Sequence, residues 1–283
     1  FWKEKYKIKT PDVLIATPPC QGMSVANHKK NNEISRNSLV VESIKLTNKI
    51  LPKYFVFENV RAFLNTTCTD IDGIVKPIRE AIKFNLSGDY NILNRIVNFK
   101  EYGSNSSRTR TLVIGVRKDI PNITPYDIFP KKQNSKTLRK LIGDLPSLEK
   151  MGEISDDILH SYREFDKRML PWIENLEEGQ SAFEQTDKLR IPHRIIDGKI
   201  VQNKSKNGDK YARWYWNKEG PCVHTRNDIL SSQNTVHPTD NRVFSIRELM
   251  RMMSIPESFE WFNVSTIDLN EKTYLEKKLF LKK

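Results

Sequence analysis

The segment that decides the fold is residues 12–22, DVLIATPPCQG. It opens with a short apolar run, which is followed at once by Thr17, Pro18 and Pro19. An apolar run of this length that stops at prolines is typical of a buried strand ending at a turn. We therefore predict a β-strand over residues 12–16, with Cys20 just beyond its carboxyl end.

The next hundred residues alternate between helix and strand patterns. Apolar residues at three- and four-residue spacing predict helices over residues 38–51 and 71–84, and Pro52 ends the first of them. Further strands are predicted over residues 54–57, 90–99 and 112–116. This alternation is typical of the α/β class and predicts an open, doubly wound sheet over residues 1–118.

The second part of the chain has a different texture. Residues 119–241 are rich in Pro, Asn, Lys and Asp with weak periodicity, which predicts a separate, smaller and irregular domain. Regular pattern returns where Ser245 and Glu248 form a Ser-x-x-Glu capping box, which predicts a helix running to Met253. Residues 242–283 are therefore predicted to be a helix-containing segment.

The charge and cysteine content narrow the class of protein. The 283 residues carry 47 Lys and Arg against 35 Asp and Glu, and this excess of +12 favours an anionic partner such as nucleic acid. A solvated lysine-rich surface explains the charge alone equally well. No apolar run approaches the ~18 residues of a membrane span, so we expect a soluble, cytoplasmic protein, associated with the nucleoid if it binds DNA. Cys20, Cys68 and Cys222 form no C-x-x-C pair, which suggests neither a disulfide framework nor a metal site.

Residue types suited to nucleophilic catalysis follow the predicted strands. Cys20 lies at the edge where open α/β sheets bind ligands, and Glu58 closes the second strand at the same edge. A thiol and a carboxyl group on one substrate suit acid/base-assisted nucleophilic catalysis. Arg108 and Arg110 share one face if the fourth strand begins there, and could bind an anion or a carbonyl oxygen. Taken singly, each of these residues could instead be structural or solvent-exposed.

Together, these residues resemble the C5-cytosine DNA methyltransferase family of the bacterial restriction-modification type. Pro19-Cys20-Gln21 is similar to its Pro-Cys motif, Glu58-Asn59-Val60 to its Glu-Asn-Val motif, and Arg108-x-Arg110 to the end of its Gln-x-Arg-x-Arg motif, with Ser106 in place of the Gln. The segment 242–256 is similar to the late segment that anchors the family's target recognition domain. The resemblance covers residues 11–117 and 235–262.

The resemblance implies a sheet of the class I methyltransferase type and a target recognition domain over residues 119–241. It also implies methyl transfer from S-adenosylmethionine to C5 of a flipped cytosine in double-stranded DNA. In this reaction the Cys20 thiolate would add to C6, and Glu58 would contact the ring at N3. Arg108 and Arg110 would hold the base carbonyl and the loop that carries the thiolate.

The resemblance also implies binding residues. Pro19 and Leu39 match positions that face the cofactor, and Gln21 and Ser24 would contact the flipped nucleotide or its phosphates. The polar loop 25–36 could close over that nucleotide. In the recognition domain, we expect DNA contacts from basic residues, namely Arg190, Arg194, Lys204, Lys206 and Arg213.

Two features of the family are missing from the sequence. A Phe-x-Gly-x-Gly cofactor loop should precede Cys20, and a Gly-Asn-x-Val-like motif should follow the last helix. The chain starts at Phe1 rather than Met, and the eleven residues before Asp12 are too few for a βαβ unit of about 30 residues, so we expect the chain to lack most of the cofactor site. Trimming, gene truncation and a second polypeptide that carries the missing motifs all remain open.

Two other functions remain as alternatives. The first is an inactive DNA-binding remnant, in which the positive charge and the aromatic cluster at residues 214–216 serve binding. The second is a thiol hydrolase that pairs Cys20 with a histidine, although no signature links Cys20 to any of the five histidines, His28, His160, His193, His224 and His237.

Overall fold

The computed structural model describes residues 10–19, 38–205, 208–261 and 265–281, and it divides the chain into two compact units. The first unit comprises Phe1–Phe99 and Thr109–Lys132, and the second comprises Lys100–Arg108 and Gln133–Lys283. These boundaries differ from the predicted ones. Residues 119–132 belong to the first unit, and residues 100–108 and 242–283 belong to the second.

The first unit is built around a mixed four-stranded sheet. In chain order its elements are β1 (Val13–Ala16), α1 (Ser38–Ile50), β2 (Tyr54–Asn59), β3 (Thr67–Thr69), β4 (Val75–Pro77), α2 (Ile78–Leu86), β5 (Tyr90–Asn98) and β6 (Thr109–Arg117), with a 3₁₀ turn at Phe63–Asn65. The strand order is β1-β2-β6-β5. β1 and β2 are parallel, whereas β6 runs antiparallel to both β2 and β5. The α/β class and the central sheet are therefore confirmed.

The core of this unit lies between the sheet and its two helices. Phe55 and Phe57 of β2 pack in one buried cluster with Ile44 of α1 and Ile82 of α2. Gly115 lies opposite Phe55 in the register of β2 and β6, and a side chain at this glycine would overlap the Phe55 ring. Only some of the apolar positions that predicted β1 and α1 form this core: Leu14, Val40 and Ile44 are buried, whereas Val13, Ile15, Leu39 and Leu46 are exposed.

One predicted helix begins later than expected. The prediction of a helix over residues 71–84 is wrong for its first half, because β3 and β4 form a hairpin there and α2 begins at Ile78. The hairpin turn is fixed locally, since Asp72 Oδ1 accepts a hydrogen bond from the Ile74 amide at 3.0 Å and Gly73 has a φ of +79°. An Asp-Gly turn between β-branched residues outweighs the helical spacing of the apolar positions.

The second unit consists mainly of irregular chain held by short elements. These are α3 (Leu138–Ile142), α4 (Leu170–Ile173), β7 (His193–Ile196), β8 (Lys199–Gln202), α5 (Ile246–Met252), α6 (Thr266–Asn270) and α7 (Tyr274–Phe280), with 3₁₀ turns at Lys167–Met169 and Ala182–Glu184. The predicted capping box at α5 is confirmed, because Ser245 and Glu248 exchange side-chain to backbone hydrogen bonds. No helix among the described residues is long and apolar enough to cross a membrane.

Residues 242–283 are part of the same unit as the predicted recognition domain. Phe244 and Met252 share a core cluster with Leu138 and Ile142, while Met250 and Leu269 join another with Ile158 and Leu159. Because these clusters join the late helices to the irregular region, the second unit spans more of the chain than the first.

A buried ion pair lies at the start of α5. The Arg242 guanidinium donates to both carboxylate oxygens of Glu248, at 2.9 and 2.8 Å, and to Asp240 Oδ2 at 2.9 Å. Arg242 and Glu248 are each 1% exposed. Burial opposes the ionisation of Glu248, but the hydrogen bonds and the charge of Arg242 hold the pKa of this carboxyl group below its usual range.

We expect Glu248→Ala to be strongly destabilising, because it leaves the Arg242 charge buried without its bidentate partner. The expected loss in the free energy of unfolding is ~3–5 kcal/mol, measured by urea denaturation. The matched control is Glu257→Ala, since Glu257 pairs with Arg251 but its side chain is 62% exposed. This control should lose about 1 kcal/mol or less. Equal losses in the two variants would contradict a structural role for the buried pair.

His237 lies beside this pair and is held neutral. Its Nδ1 accepts hydrogen bonds from the backbone amides of Asp240 and Thr239, at 3.0 and 3.3 Å. Burial lowers the pKa of His237 from 6.5 to about 4, against the opposing attraction of Glu248. The unfolded chain therefore binds a proton at a higher pH than the folded chain does.

Stability due to His237 should thus be complete above pH 6.5 and lost as the pH falls to about 4. The expected loss over this window is roughly 3 kcal/mol, measured by urea denaturation at several pH values. His237→Gln should flatten this part of the profile. An unchanged slope in His237→Gln would assign the acid sensitivity to other groups.

Candidate functional site

Glu58 and Asn59 end the central strand β2 and face opposite sides of the sheet. The strand alternates between half-buried and buried residues, so Asn59 is buried with Phe55 and Phe57, while Glu58 lies on the other face. The Glu58 side chain is 25% exposed, which leaves it accessible to a ligand. A carboxyl group is therefore presented at the carboxyl end of the strand, as the sequence predicts.

Arg110 is the partner of Glu58. Because β6 is antiparallel to β2, with Glu58 opposite Leu112, the first residues of β6 lie beside the last residues of β2. Arg110 Nε lies 3.0 Å from Glu58 Oε1, and a second nitrogen of the guanidinium donates to the Thr109 carbonyl at 2.8 Å. The structure thus brings together two of the predicted site residues and fixes the orientation of the carboxylate.

Asn59 connects the loop after β1 to the end of β2. Its Nδ2 donates to the Pro18 carbonyl at 2.8 Å, while its Oδ1 accepts from the Val60 amide at 2.8 Å. Asn59 is 3% exposed, so both bonds are protected from water. The loop that leads to Cys20 is therefore fixed to the strand that carries Glu58.

Thr111 supports the same region from β6. Its hydroxyl lies 3.2 Å from the Val60 carbonyl and 3.3 Å from the Arg61 carbonyl, and the residue is fully buried. Sequence reasoning quoted Asn59 only as part of a motif and did not single out Thr111. A polar residue at the buried position of an apolar strand was the signal that could have identified Asn59.

The two residues predicted to face a cofactor are both exposed to solvent. Pro19 is exposed and follows Ala16, the last residue of β1, by three residues. Leu39 is 47% exposed in the first turn of α1.

Three further predictions concern residues outside the described ones. These are the nucleophile Cys20, the nucleotide contacts of Gln21 and Ser24, and the closure of loop 25–36 over the nucleotide. The DNA contact predicted for Lys206 lies outside them as well.

Arg108 does not share the strand face of Arg110. β6 begins at Thr109, so Arg108 precedes the strand and belongs to the second unit. One nitrogen of its guanidinium lies 3.3 Å from the Val223 carbonyl and 3.9 Å from Cys222 Sγ. The prediction that the two arginines lie side by side on one strand is wrong, because the chain leaves the sheet between them.

Arg213 is a structural residue, and the prediction that it contacts DNA is wrong. It is 3% exposed, and its guanidinium donates to the carbonyls of His237 and Ile173, both at 2.8 Å, and to Asn241 Oδ1 at 2.6 Å. Burial lowers the pKa of this group from its usual value. A guanidinium committed to buried carbonyl groups cannot reach a phosphate or a base edge.

Cys68 and His160 have structural roles. Cys68 is fully buried, and desolvation raises the pKa of its thiol to about 11, which makes it a poor nucleophile. His160 contacts Ser245 Oγ at 2.9 Å and the Pro146 carbonyl at 2.8 Å through its two ring nitrogens. Among the described residues, no cluster of His, Cys, Asp and Glu could hold a metal ion.

The mixed sheet, with Glu58 and Arg110 paired where β2 ends and β6 begins, defines an α/β fold. A solved structure of a candidate DNA modification methyltransferase, encoded within a prophage of E. coli, has the same fold. It superimposes with a TM-score of 0.58 at 22% identity, over 99% of this chain and 82% of the other.

Comparison of sequences identifies the family. The family model for C-5 cytosine-specific DNA methylases matches residues 1–272, and the chain belongs to this family. It is 33% identical over 265 residues to the Type II methyltransferase M1.HgaI of Avibacterium volantium, covering 88% of this chain and 70% of the relative. It is 26% identical over 280 residues to M.DdeI of Desulfomicrobium norvegicum, covering 90% of this chain and 65% of the relative. The predicted family and enzyme class, DNA methyltransferase, are confirmed.

We expect Asn59→Ala to destabilise the first unit, because it leaves the Pro18 carbonyl and the Val60 amide without their partner. Loss of these buried bonds should lower the free energy of unfolding by about 2 kcal/mol, measured by urea denaturation. Asn65→Ala is the matched control, since Asn65 is exposed and the hydrogen bond described for its side chain is one that Oδ1 accepts from the Arg79 guanidinium. If Asn59→Ala lowers the free energy of unfolding no more than the control does, the two Asn59 hydrogen bonds do not stabilise this unit.

Proposed function

We propose that this chain transfers a methyl group from S-adenosylmethionine to C5 of cytosine in double-stranded DNA. The observation that carries the proposal is the strand end where Glu58 pairs with Arg110 while Asn59 holds the Pro18 carbonyl. Membership of the C-5 cytosine-specific DNA methylase family supports the reaction class.

The position of Pro18 explains how a nucleophile reaches this edge. Cys20 follows Pro18 by two residues, and two residues of extended chain span at most about 7 Å. The Asn59 bond therefore limits how far Cys20 can lie from the end of β2. This constraint supports Cys20 as the nucleophile that acts beside Glu58.

The reaction needs a nucleophile because cytosine C5 is not reactive enough on its own. The Cys20 thiolate adds to C6 and forms a carbon–sulfur bond, and the electron pair of the C5–C6 double bond makes C5 nucleophilic. C5 then takes the methyl group. Loss of the C5 proton to a base and departure of the thiolate restore the double bond, so the enzyme thiolate is regenerated.

Glu58 would stabilise the ring during this addition. A carboxyl group at N3 offsets the negative charge that develops when the thiolate attacks. Arg110 orients the Glu58 carboxylate through the 3.0 Å contact, which limits the rotamers available before the base arrives. Arg108 would contribute to holding the base carbonyl, and a stacked base would have to flip out of the duplex to reach these groups.

The cofactor would lie beside the carboxyl end of β1. Pro19 and Leu39 offer exposed apolar surface there, which fits the apolar part of such a ligand. When bound, S-adenosylmethionine supplies an electrophilic methyl group. Gln21 and Ser24 would contact the flipped nucleotide.

The decisive experiment measures transfer of labelled methyl from S-adenosylmethionine to mixed-sequence duplex DNA. We expect Cys20→Ala to abolish transfer and Glu58→Gln to lower kcat by about 10²–10⁴-fold. Glu80→Gln is the matched control, since Glu80 is exposed in the first turn of α2 and should leave the rate unchanged.

Covalent capture separates the enzyme from an inactive DNA-binding remnant. A duplex that contains 5-fluorocytosine should form a denaturation-resistant adduct with the wild-type chain and S-adenosylmethionine, but not with Cys20→Ala. Methyl transfer that survives Cys20→Ala would contradict the mechanism. DNA binding without transfer or adduct in the wild-type chain would favour the remnant.

A further inference from the structure

The first unit has a cleft on the face of the sheet that α2 covers. The cleft has a volume of about 430 Å³ and lies between α2, β5, β6 and the 3₁₀ turn before β3. Its floor is apolar, and each of these four elements contributes one side chain to it, namely Leu64, Ile82, Ile92 and Val113. The volume lies within the range of small-molecule pockets, which is roughly 300–1,000 Å³.

The cleft is separate from the site at the end of β2. Val113 is opposite Phe57 in the register of β6 and β2, and both residues belong to the core cluster beneath α2. Side chains alternate between the faces of a strand, so Glu58 and its partner Arg110 lie on the other face. The cleft is also remote from β1, because β1 and β5 are the two edge strands of the sheet. A ligand in the cleft would therefore not occupy the position of a cytosine beside Glu58.

The rim of the cleft is cationic. Arg79 and Lys83 reach it from α2, and Lys118 follows β6, whereas none of the described residues that line it is an Asp or a Glu. Two of these cations are held by neutral oxygen atoms. Arg79 donates to Asn65 Oδ1 at 2.6 Å, and Lys118 Nζ donates to the Ser87 carbonyl at 2.8 Å. These bonds orient the side chains but do not neutralise their charge.

Two of the cations are unfavourably placed for the stability of α2. Arg79 and Lys83 are four residues apart, so they share one face of the helix, and like charges at this spacing are destabilising. Arg79 also lies in the first turn, where the helix dipole disfavours a cation. An anion bound between the two side chains would offset both effects.

The remaining groups of the cleft favour a nucleotide over a bare phosphate. Asn94 is opposite Val113 in the register of β5 and β6, so its amide lies beside the apolar floor. An amide offers both a donor and an acceptor to the edge of a nucleobase, and the floor offers apolar surface to its ring. The bases of a duplex are paired and stacked, which favours a free nucleotide over DNA.

We propose that this cleft binds a free nucleoside monophosphate. The phosphate lies between Arg79, Lys83 and Lys118, which suit it as charged hydrogen-bond donors. The base lies on the apolar floor with its edge towards Asn94. The proposal goes beyond methyl transfer and does not depend on it, because the residues that carry it are not those of the site at Glu58.

The first test is calorimetric titration of the full chain with adenosine 5′-monophosphate. Arg79→Gln with Lys83→Gln should weaken binding by about 10²-fold, since each charge-assisted contact to the phosphate contributes roughly a factor of ten. The matched control is Lys45→Gln with Lys49→Gln, which removes the same charge at the same spacing from α1 and should leave the affinity unchanged. Equal affinities in the two double variants would overturn the proposal.

Further titrations identify the ligand chemistry. Inorganic phosphate should bind at least about tenfold more weakly than the nucleotide, because it makes no contact with the apolar floor. Adenosine should bind more weakly by a similar factor of about ten, because it lacks the charged group. Equal affinity for phosphate would overturn the nucleotide assignment, and equal affinity for adenosine would overturn the role of the cations.

Competition separates the cleft from the other ligands of the chain. Neither S-adenosylmethionine nor a mixed-sequence duplex should displace adenosine 5′-monophosphate. Displacement by S-adenosylmethionine would place the nucleotide in the cofactor site instead of the cleft. Displacement by the duplex would assign the cations to the DNA backbone. Either outcome would overturn the proposal.

Photolabelling locates the nucleotide without any substitution in the chain. On irradiation, 8-azidoadenosine 5′-monophosphate should label a peptide that contains residues 90–94, which include Ile92 and Asn94 of the cleft. An excess of adenosine 5′-monophosphate should prevent this labelling. Label that is found only in peptides from outside the cleft would overturn the proposal, even if the chain binds the nucleotide.

Discussion

Strand β2 pairs in parallel with β1 on one side and antiparallel with β6 on the other, and the geometry of the site depends on this mixed pairing. Parallel pairing brings the carboxyl ends of β1 and β2 to one edge of the sheet, and antiparallel pairing brings the amino end of β6 to the same edge. Glu58, the Pro18 carbonyl and Arg110 meet there for that reason. With β6 parallel, Arg110 would lie at the opposite edge, and Glu58 would lose its partner.

The second unit is stabilised differently from the first, because its chain is mostly irregular. Irregular backbone leaves many carbonyl and amide groups without ladder partners, and buried side chains must satisfy them. Arg213 does so for His237 and Ile173, and the Ser181 hydroxyl does so for the Lys210 carbonyl. The cost of burying these charges is offset only when all partners are present, so this scaffold tolerates few changes at its buried polar positions.

The difference between the two units explains how much of the fold could be predicted. In the first unit, burial follows apolar spacing, so α1 and the strands of the central sheet lie within two or three residues of their predicted bounds. The hairpin at residues 67–77 was missed, because a local Asp72-Gly73 turn outweighs the periodicity of its neighbours. The contact of Arg110 with Glu58 depends on which residues of β2 and β6 lie opposite each other. Apolar spacing along the chain does not specify this pairing.

In the second unit, the charge of a basic residue does not predict whether its side chain is exposed or buried. Arg194 and Arg213 look alike in the sequence, yet the first lies on an exposed ribbon and the second is buried among carbonyl groups. Only long-range contacts, such as the one between Arg213 and Ile173, distinguish them. For the same reason, composition alone could not distinguish the exposed basic side chains of the region from the buried ones.

This contrast also bears on which positions of the second unit tolerate substitution. Substitutions on the ribbon of β7 and β8 alter side chains that bury little surface, so they should cost little stability beyond the loss of local strand propensity. Substitutions at Arg213 or Arg242 would instead leave buried partners unsatisfied. Side chains on the exposed hairpin can therefore vary while the fold is retained, whereas the buried polar contacts of the same unit cannot. Glu58 and Arg110, which lie in the other unit, are not involved in such a change.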